Sequence, residues 1–482
     1  MTLSLLVWLW AAAGPAVGTA APDPAARAAL SPPAKVSLTV YASNLALVQE
    51  QRHVDLPAGT AVLHLDGVPA GLVPASLQVT FHTRPASSVR LLEQRLHHDL
   101  ISPARILEKY VGRQLTLVSD APDGGPPRRQ AATLLATRGG LVLDVGHEVL
   151  LNPPGRIIVP DLPEGLVHHP TLDWVVRARR GGPADVDLRY LTTGITWSAD
   201  HVGVLSQDEK RLRLSTWVTV NNTTGVAFRK AGLHLIAGDP ARLAPRKLPV
   251  RVPEALQATG RAAEMSEAGF QDRPIFDYHD YRLQRPVDLD GQGAVQLAFL
   301  ENAPAVRVVK RYIITGSGAA VPVGRRPLSA ARRPVQIRLE FVNSKDAGIG
   351  HPLPAGTFRV YQEADRGETV LLGENRIDHT PQDETVSLTV GNSSDLIAER
   401  VQTDYVDHSV RSHRSYEAAF RITVRNHKTT MARVEVHESI PGDWTLLASS
   451  HPSTRRSASS LWFNLDVPAG GESVLTYRVR VN

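Results

Sequence analysis

At 482 residues, with 42% hydrophobic and 21% charged residues, the chain exceeds one ordinary core and reads as roughly two to four folded domains. It has no cysteine, which excludes disulfides, thiolate metal sites, a cysteine nucleophile and a lipid-modified cysteine, so packed cores carry its stability. The net charge of +5 includes scattered arginine pairs, among them Arg128-Arg129, Arg332-Arg333 and Arg455-Arg456, and aromatics are only 5%. That pattern is a solvated surface rather than a nucleic-acid interface, with room for weak attraction to anionic envelope polymers.

From the N-terminus, an apolar run over Leu3–Ala13, then Gly14-Pro15 and "VGTAA", predict a secretory signal over residues 1–21, although no Lys or Arg precedes the run. The run is short for a bilayer span, and no later segment approaches that length. Residues 22–35 read as a linker. Residues 36–84 and 166–240 read as one discontinuous N-terminal β-sandwich, interrupted by a small barrel-like β insert at 85–165. The insert holds the clearest helix, near 103–111: Ser102 can cap, Pro103 fits the first turn, Ile106, Leu107 and Tyr110 form a stripe, and Gly112 stops it. A Pro- and Ala-rich stretch, 241–272, reads as a flexible linker. Residues 273–395 form a central β-sandwich region and 396–482 a C-terminal Ig-like sandwich.

The evidence for strands is period two. In "KRLRLSTWVTVNN", Leu212, Leu214, Thr216, Val218 and Val220 share one face, while Arg211, Arg213, Ser215 and Trp217 share the other. "YEAAFRITVRN" and the closing "VLTYRVRV" alternate in the same way, and "NNTTG", "DG" at 290–291 and "PAGG" supply turns. The predicted class is all-β, with several antiparallel sandwiches and one or two short helices.

Motifs for chemistry are sparse. "YLTTGITWSADH" (190–201) gathers hydroxyls, an aspartate and a histidine, but Ser198 lacks the glycine frame of a nucleophile elbow, and Tyr190 and Trp197 read as core anchors. The 18 histidines show no ligand spacing, and His351, His379 and His413 could meet only through tertiary structure. "DLDGQG" (288–293) lacks the later calcium ligands and reads as a hairpin turn. Asp383-Glu384 sits in a proline loop. Trp217 is placed by alternation on a polar face, where it could stack on a sugar, meet a partner or lie beneath the insert. Trp217, His201, His351 and His379 are therefore the candidate binding surface; no catalytic, metal or cofactor residue is assigned.

Four further stretches carry a resemblance. "YLTTGITWSADH" with "RLSTWVTVNNTTG" and "AGLHLIAGDP", then "FDYHDYRLQRPVDL", then "GHPLPAGTFRVYQEADRGETVLLGENRIDHTPQDE", and finally "RITVRNHK" with "YRVRV" resemble the bacterial secreted mucoidy-inhibitor-A-like family, whose shared region is a domain of unknown function. "VYASNLALVQE" resembles its entry strand. The chain departs from the family at His201, where Tyr is usual, at Val226-Ala227-Phe228, and in lacking coiled-coil heptads. The resemblance implies an all-β envelope protein and offers no catalytic residues to carry over. The resulting expectation is an exported, periplasmic or extracellular protein, not membrane-spanning, that binds or scaffolds an envelope protein or polysaccharide without a cofactor. The alternative is an envelope-polymer hydrolase assembling His351, His379, Asp383 and Glu384 across domains.

Overall fold

In the computed structural model the described residues are 26–83, 88–120, 125–238, 240, 270–275, 278–316, 331–364, 368–410 and 415–482. The expected signal (1–21), most of the expected linker at 241–272, and His413 lie outside them. Among the described residues the chain is all-β, with one α-helix, and no helix is long and apolar enough to cross a membrane. It divides into two compact units.

The first unit is built mainly from Val48–Thr193. Four strands pair in the order Ala26–Ala29, Gly59–Asp66, Thr171–Ala178 and Val89–His97. Ala26–Ala29, inside the stretch expected to be a linker, is a strand because it pairs in parallel with Ala61–His64. Alternation drives Leu63, Leu65, Trp174 and Val176 fully inward. In a further sheet, Gly182–Thr192 pairs antiparallel with Gln78–Thr83 and buries Val186, Leu188 and Tyr190. Each such buried aliphatic or aromatic side chain contributes roughly 1.5–3 kcal/mol by leaving water.

The insert is a five-stranded antiparallel sheet of Val149–Leu151, Val142–Asp144, Arg128–Ala136, Gln114–Ser119 and Arg156–Ile158. The helix Pro103–Tyr110 begins where the Ser102 hydroxyl accepts the Arg105 N–H at 3.2 Å, as the sequence predicts. Its stripe of Ile106, Leu107 and Tyr110 covers Leu115, Leu117, Ala132, Leu134 and Leu143. Gly112, at φ +83°, takes the left-handed turn after it.

The second unit takes Ser37–Leu47, Gly194–Thr223 and Ala227–Asn482. The division therefore falls inside 166–240, which the sequence reading kept whole. The reason is pairing with distant chain. Ile195–Leu205 runs parallel to Gly356–Glu363, and Arg211–Asn222 pairs with Gly293–Arg307. Phe228–Ala237 runs parallel to the Ser37–Tyr41 stretch and antiparallel to Tyr278–Leu283. Trp197 meets Tyr281 edge-on, with ring centroids 6.2 Å apart.

The C-terminal sandwich packs two sheets over one core of Ile314, Phe420, Val434, Val436, Phe463, Leu465, Leu475 and Tyr477, among others. One sheet is Ala331–Arg333, Leu396–Asp407, Tyr416–Asn426, Glu472–Val481 and Trp444–Ser449. The other is six-stranded: Thr385–Asn392, Gln336–Val342, Val309–Thr315, Ala432–Ser439, Ser460–Val467 and Ser453–Ser457. Three of those six strands precede residue 396, so this sandwich also crosses an expected boundary. The parallel pairing of Tyr312–Thr315 with Val434–His437 joins the two stretches.

Candidate functional site

The four residues nominated from sequence do not form one surface. His201 is fully buried and leaves the candidate list. Its Nε2 lies 3.0 Å from the Pro354 carbonyl, which can only accept, so Nε2 carries the hydrogen and Nδ1 accepts from the Thr216 hydroxyl at 2.9 Å. The ring also stacks on Phe358, and burial pulls its pKa down to about 4, so it stays neutral near pH 7. Trp217 is the next residue along from Thr216 and faces the other way, 43% exposed, opposite Asp200 in register.

His351 and His379 do approach the segment that His201 holds. The His379 Nδ1 accepts the Ala355 N–H at 3.0 Å, the Asn343 side-chain amide donates to the carbonyl of His351, and Leu353 and Thr380 exchange both backbone hydrogen bonds. Two histidines, His201 and His379, thus hold residues 351–355, which include His351, and these hydrogen bonds pin that loop. Asp383 and Glu384 sit exposed on the adjoining loop, whereas His351 borders a small apolar pocket with Phe270, Tyr281 and Phe299.

A different set converges on the outer face of the six-stranded sheet. Alternation commits Ile314, Val434, Val436, Leu461, Phe463 and Leu465 to the core. It leaves Arg311, Arg433, Glu435, His437, Trp462 and Asn464 on the opposite side. Pairing sets these in rows. Arg311 stands opposite Arg338, Glu435 opposite Asn464, Arg433 opposite Asp466, His437 opposite Trp462, and Trp462 opposite Thr454. Asp466 apart, they line with Glu340 and Arg456 an open groove of about 360 Å³.

Two arginines directly opposite each other on neighbouring strands repel. The groove tolerates them because Arg311 is held from both sides: its Nε donates to Glu340 at 2.6 Å and its Nη1 to Glu435 at 2.6 Å. Those hydrogen bonds raise the pKa of Arg311. Burial works against the Glu435 carboxylate, but hydrogen bonds from His437 and Arg311 outweigh it and keep its pKa below the ordinary range. His437 Nε2 lies 3.1 Å from Glu435, and the ring stacks on Trp462 with centroids 3.7 Å apart. Burial lowers the His437 pKa, Glu435 pulls it back, and the charges of Arg338 and Arg456 lower it further. His437 is thus neutral near pH 7, donates from Nε2 and presents Nδ1 as an acceptor.

Arg338 and Arg456 differ from Arg311. Neither forms an ion pair with a carboxylate among the described residues; Arg456 instead lies over Trp462, 4.8 Å from the ring centroid. The groove therefore offers two uncommitted guanidiniums beside carboxylate, amide and hydroxyl groups. Sequence reading passed over it because each member sits on the polar side of a different strand. The available signal was Trp462, which alternation sets beside Asn464 and Asp466, the same logic that singled out Trp217.

The first unit has a comparable opening of about 440 Å³, lined in part by Ser31, His53, Asp55, His82 and Asp185. There the histidines are already engaged: His53 pairs with Asp185, and His82 Nε2 lies 3.0 Å from Asp187. On the four-stranded sheet Asp173 similarly receives both His64, at 2.6 Å, and His97, at 3.1 Å. Among the described residues no group of three or more His, Cys, Asp or Glu is arranged to hold a metal ion.

Fold and groove together define an all-β, multi-sheet protein with an open polar surface site. No protein-family model matches the chain, and comparison with curated proteins yields no match.

Proposed function

We propose that the chain is an exported, non-catalytic binding or scaffolding protein of the cell envelope, and that the groove bounded by Arg338, Arg456 and Trp462 is its working surface. The observation that carries this is the charge arrangement: the groove's own carboxylates are already held by Arg311, while Arg338 and Arg456 face it without a carboxylate partner. Guanidiniums left open beside an aromatic ring are suited to an anionic ligand. The resemblance to a secreted envelope family agrees with work outside the cytosol. Asp383 and Glu384, the carboxylates of the hydrolase alternative, sit exposed on a loop and add nothing in its favour.

The test is incubation of the full chain with soluble acidic and neutral envelope polymers. Retention is measured by co-sedimentation and polymer length by size exclusion. Retention of acidic polymer at unchanged length is expected; steady shortening of any polymer would show turnover and overturn the proposal.

A further inference from the structure

Resting on the groove just described, we infer that its ligand is a sugar acid: a ring rich in hydroxyls that carries one carboxylate, as in the uronate residues of an acidic glycan. Charge and acceptor content single out this class. Four guanidiniums (Arg311, Arg338, Arg433, Arg456) face Glu340 and Glu435, and Asp466 lies 3.5 Å from Arg433. One net positive charge remains, which matches a monoanion. A dianionic phosphate monoester would have to approach Glu340 and Glu435, and the like-charge repulsion disfavours it.

Those two carboxylates have a second use. Each gives one oxygen to Arg311 at 2.6 Å and keeps lone pairs that can accept from sugar hydroxyls. Asn464 and Thr454, on the neighbouring strands, add an amide and a hydroxyl. An apolar acid such as a fatty acid would leave these acceptors unpaired, and a neutral sugar would leave Arg338 and Arg456 unneutralised. The bidentate geometry of guanidinium suits a planar carboxylate.

A proton should follow the ligand. His437 is faced by Glu435 on its own strand, by Arg311, Arg338 and Glu340 from one side, and by Arg456 and Trp462 from the other. Arg338 and Arg456 oppose its protonation. A carboxylate neutralising them relaxes that opposition, so binding strengthens as pH falls from neutrality towards the lowered pKa of the free histidine.

The experiment is isothermal titration of the full chain with a short oligogalacturonate, a neutral oligosaccharide of equal length, and glucose 6-phosphate. Each is repeated with Arg338→Gln, Arg456→Gln and His437→Gln. Oligogalacturonate is expected to bind and the neutral oligomer not, with about a tenfold or greater loss for each arginine variant. His437→Gln should flatten the pH dependence. The arginines sit on the outer face, and unchanged thermal melting of their variants confirms an intact fold. Stronger binding of the phosphate, lost in the same variants, would overturn the sugar-acid assignment while sparing the groove as an anion site. Binding of no anion, or binding that ignores both arginine substitutions, would overturn both.

Discussion

Single residues show how differently a polar side chain can be used in this chain. His201 is held neutral in the core, and its pH behaviour follows from that. Its folded pKa, about 4, lies below its unfolded value of 6.5, so the unfolded chain binds more protons between those limits. Its contribution is complete above about pH 6.5 and is lost as pH falls towards about 4, up to roughly 3 kcal/mol. Urea titrations across that window should show the decline, and His201→Asn should shrink it; an unchanged slope would mean the ring charges without cost. Arg400 makes the opposite case. Its Nε and Nη2 each donate to Glu438 at 3.0 Å, Nη2 also reaches the Tyr477 hydroxyl at 3.1 Å, and the guanidinium lies 4.0 Å from the Phe420 ring centroid. Burial opposes the charge, but Tyr477 and Glu438 outweigh it and raise the pKa of Arg400. Glu438→Ala leaves that charge unpaired and should cost about 3–5 kcal/mol by chemical denaturation. The double change Arg400→Met with Glu438→Leu should recover most of the loss. Tyr190 and Trp197 were legible as core anchors because each is a large aromatic on the apolar face of its alternating strand. His201 was not, since only the partner strand and the Pro354 carbonyl, 153 residues away, reveal that it is satisfied inside.

At the scale of elements, local rules were enough wherever an element is defined by its own sequence. The Ser102 cap, Pro103 and Gly112 mark the one α-helix among the described residues, and alternation in Arg211–Asn222, Tyr416–Asn426 and Glu472–Val481 gives the observed buried faces. Ser102→Ala should cost about 1 kcal/mol and speed amide exchange at Arg105 first, because that N–H loses its acceptor. Exchange rates unchanged at Arg105 would show that the cap adds nothing. What local rules could not give is which strands meet. The groove depends on five strands from 309 to 467, and its rows exist only once the parallel pairing of Val309–Thr315 with Ala432–Ser439 sets them in register. Each strand alone shows an ordinary polar face.

For the whole molecule, the all-β class was legible, but the division into two units was not, because each is assembled from separated segments. The strand Phe228–Ala237 needs Ser37–Tyr41 beside it: Gly232–Ile236 pair with that stretch in parallel register. A fragment beginning at Gly194 should therefore lack a cooperative melt, since it leaves that backbone edge unpaired, while co-expression with residues 26–193 should restore one. A stable, cooperative melt of the shorter fragment would mean the stretch is dispensable. Hydrogen–deuterium exchange of the full chain with and without oligogalacturonate tests the groove most directly. Slowed exchange should concentrate in 309–315, 336–342, 432–439 and 453–467, with the surface around Trp217 unchanged. Protection centred on Trp217, or none at all at saturating ligand, would contradict the account.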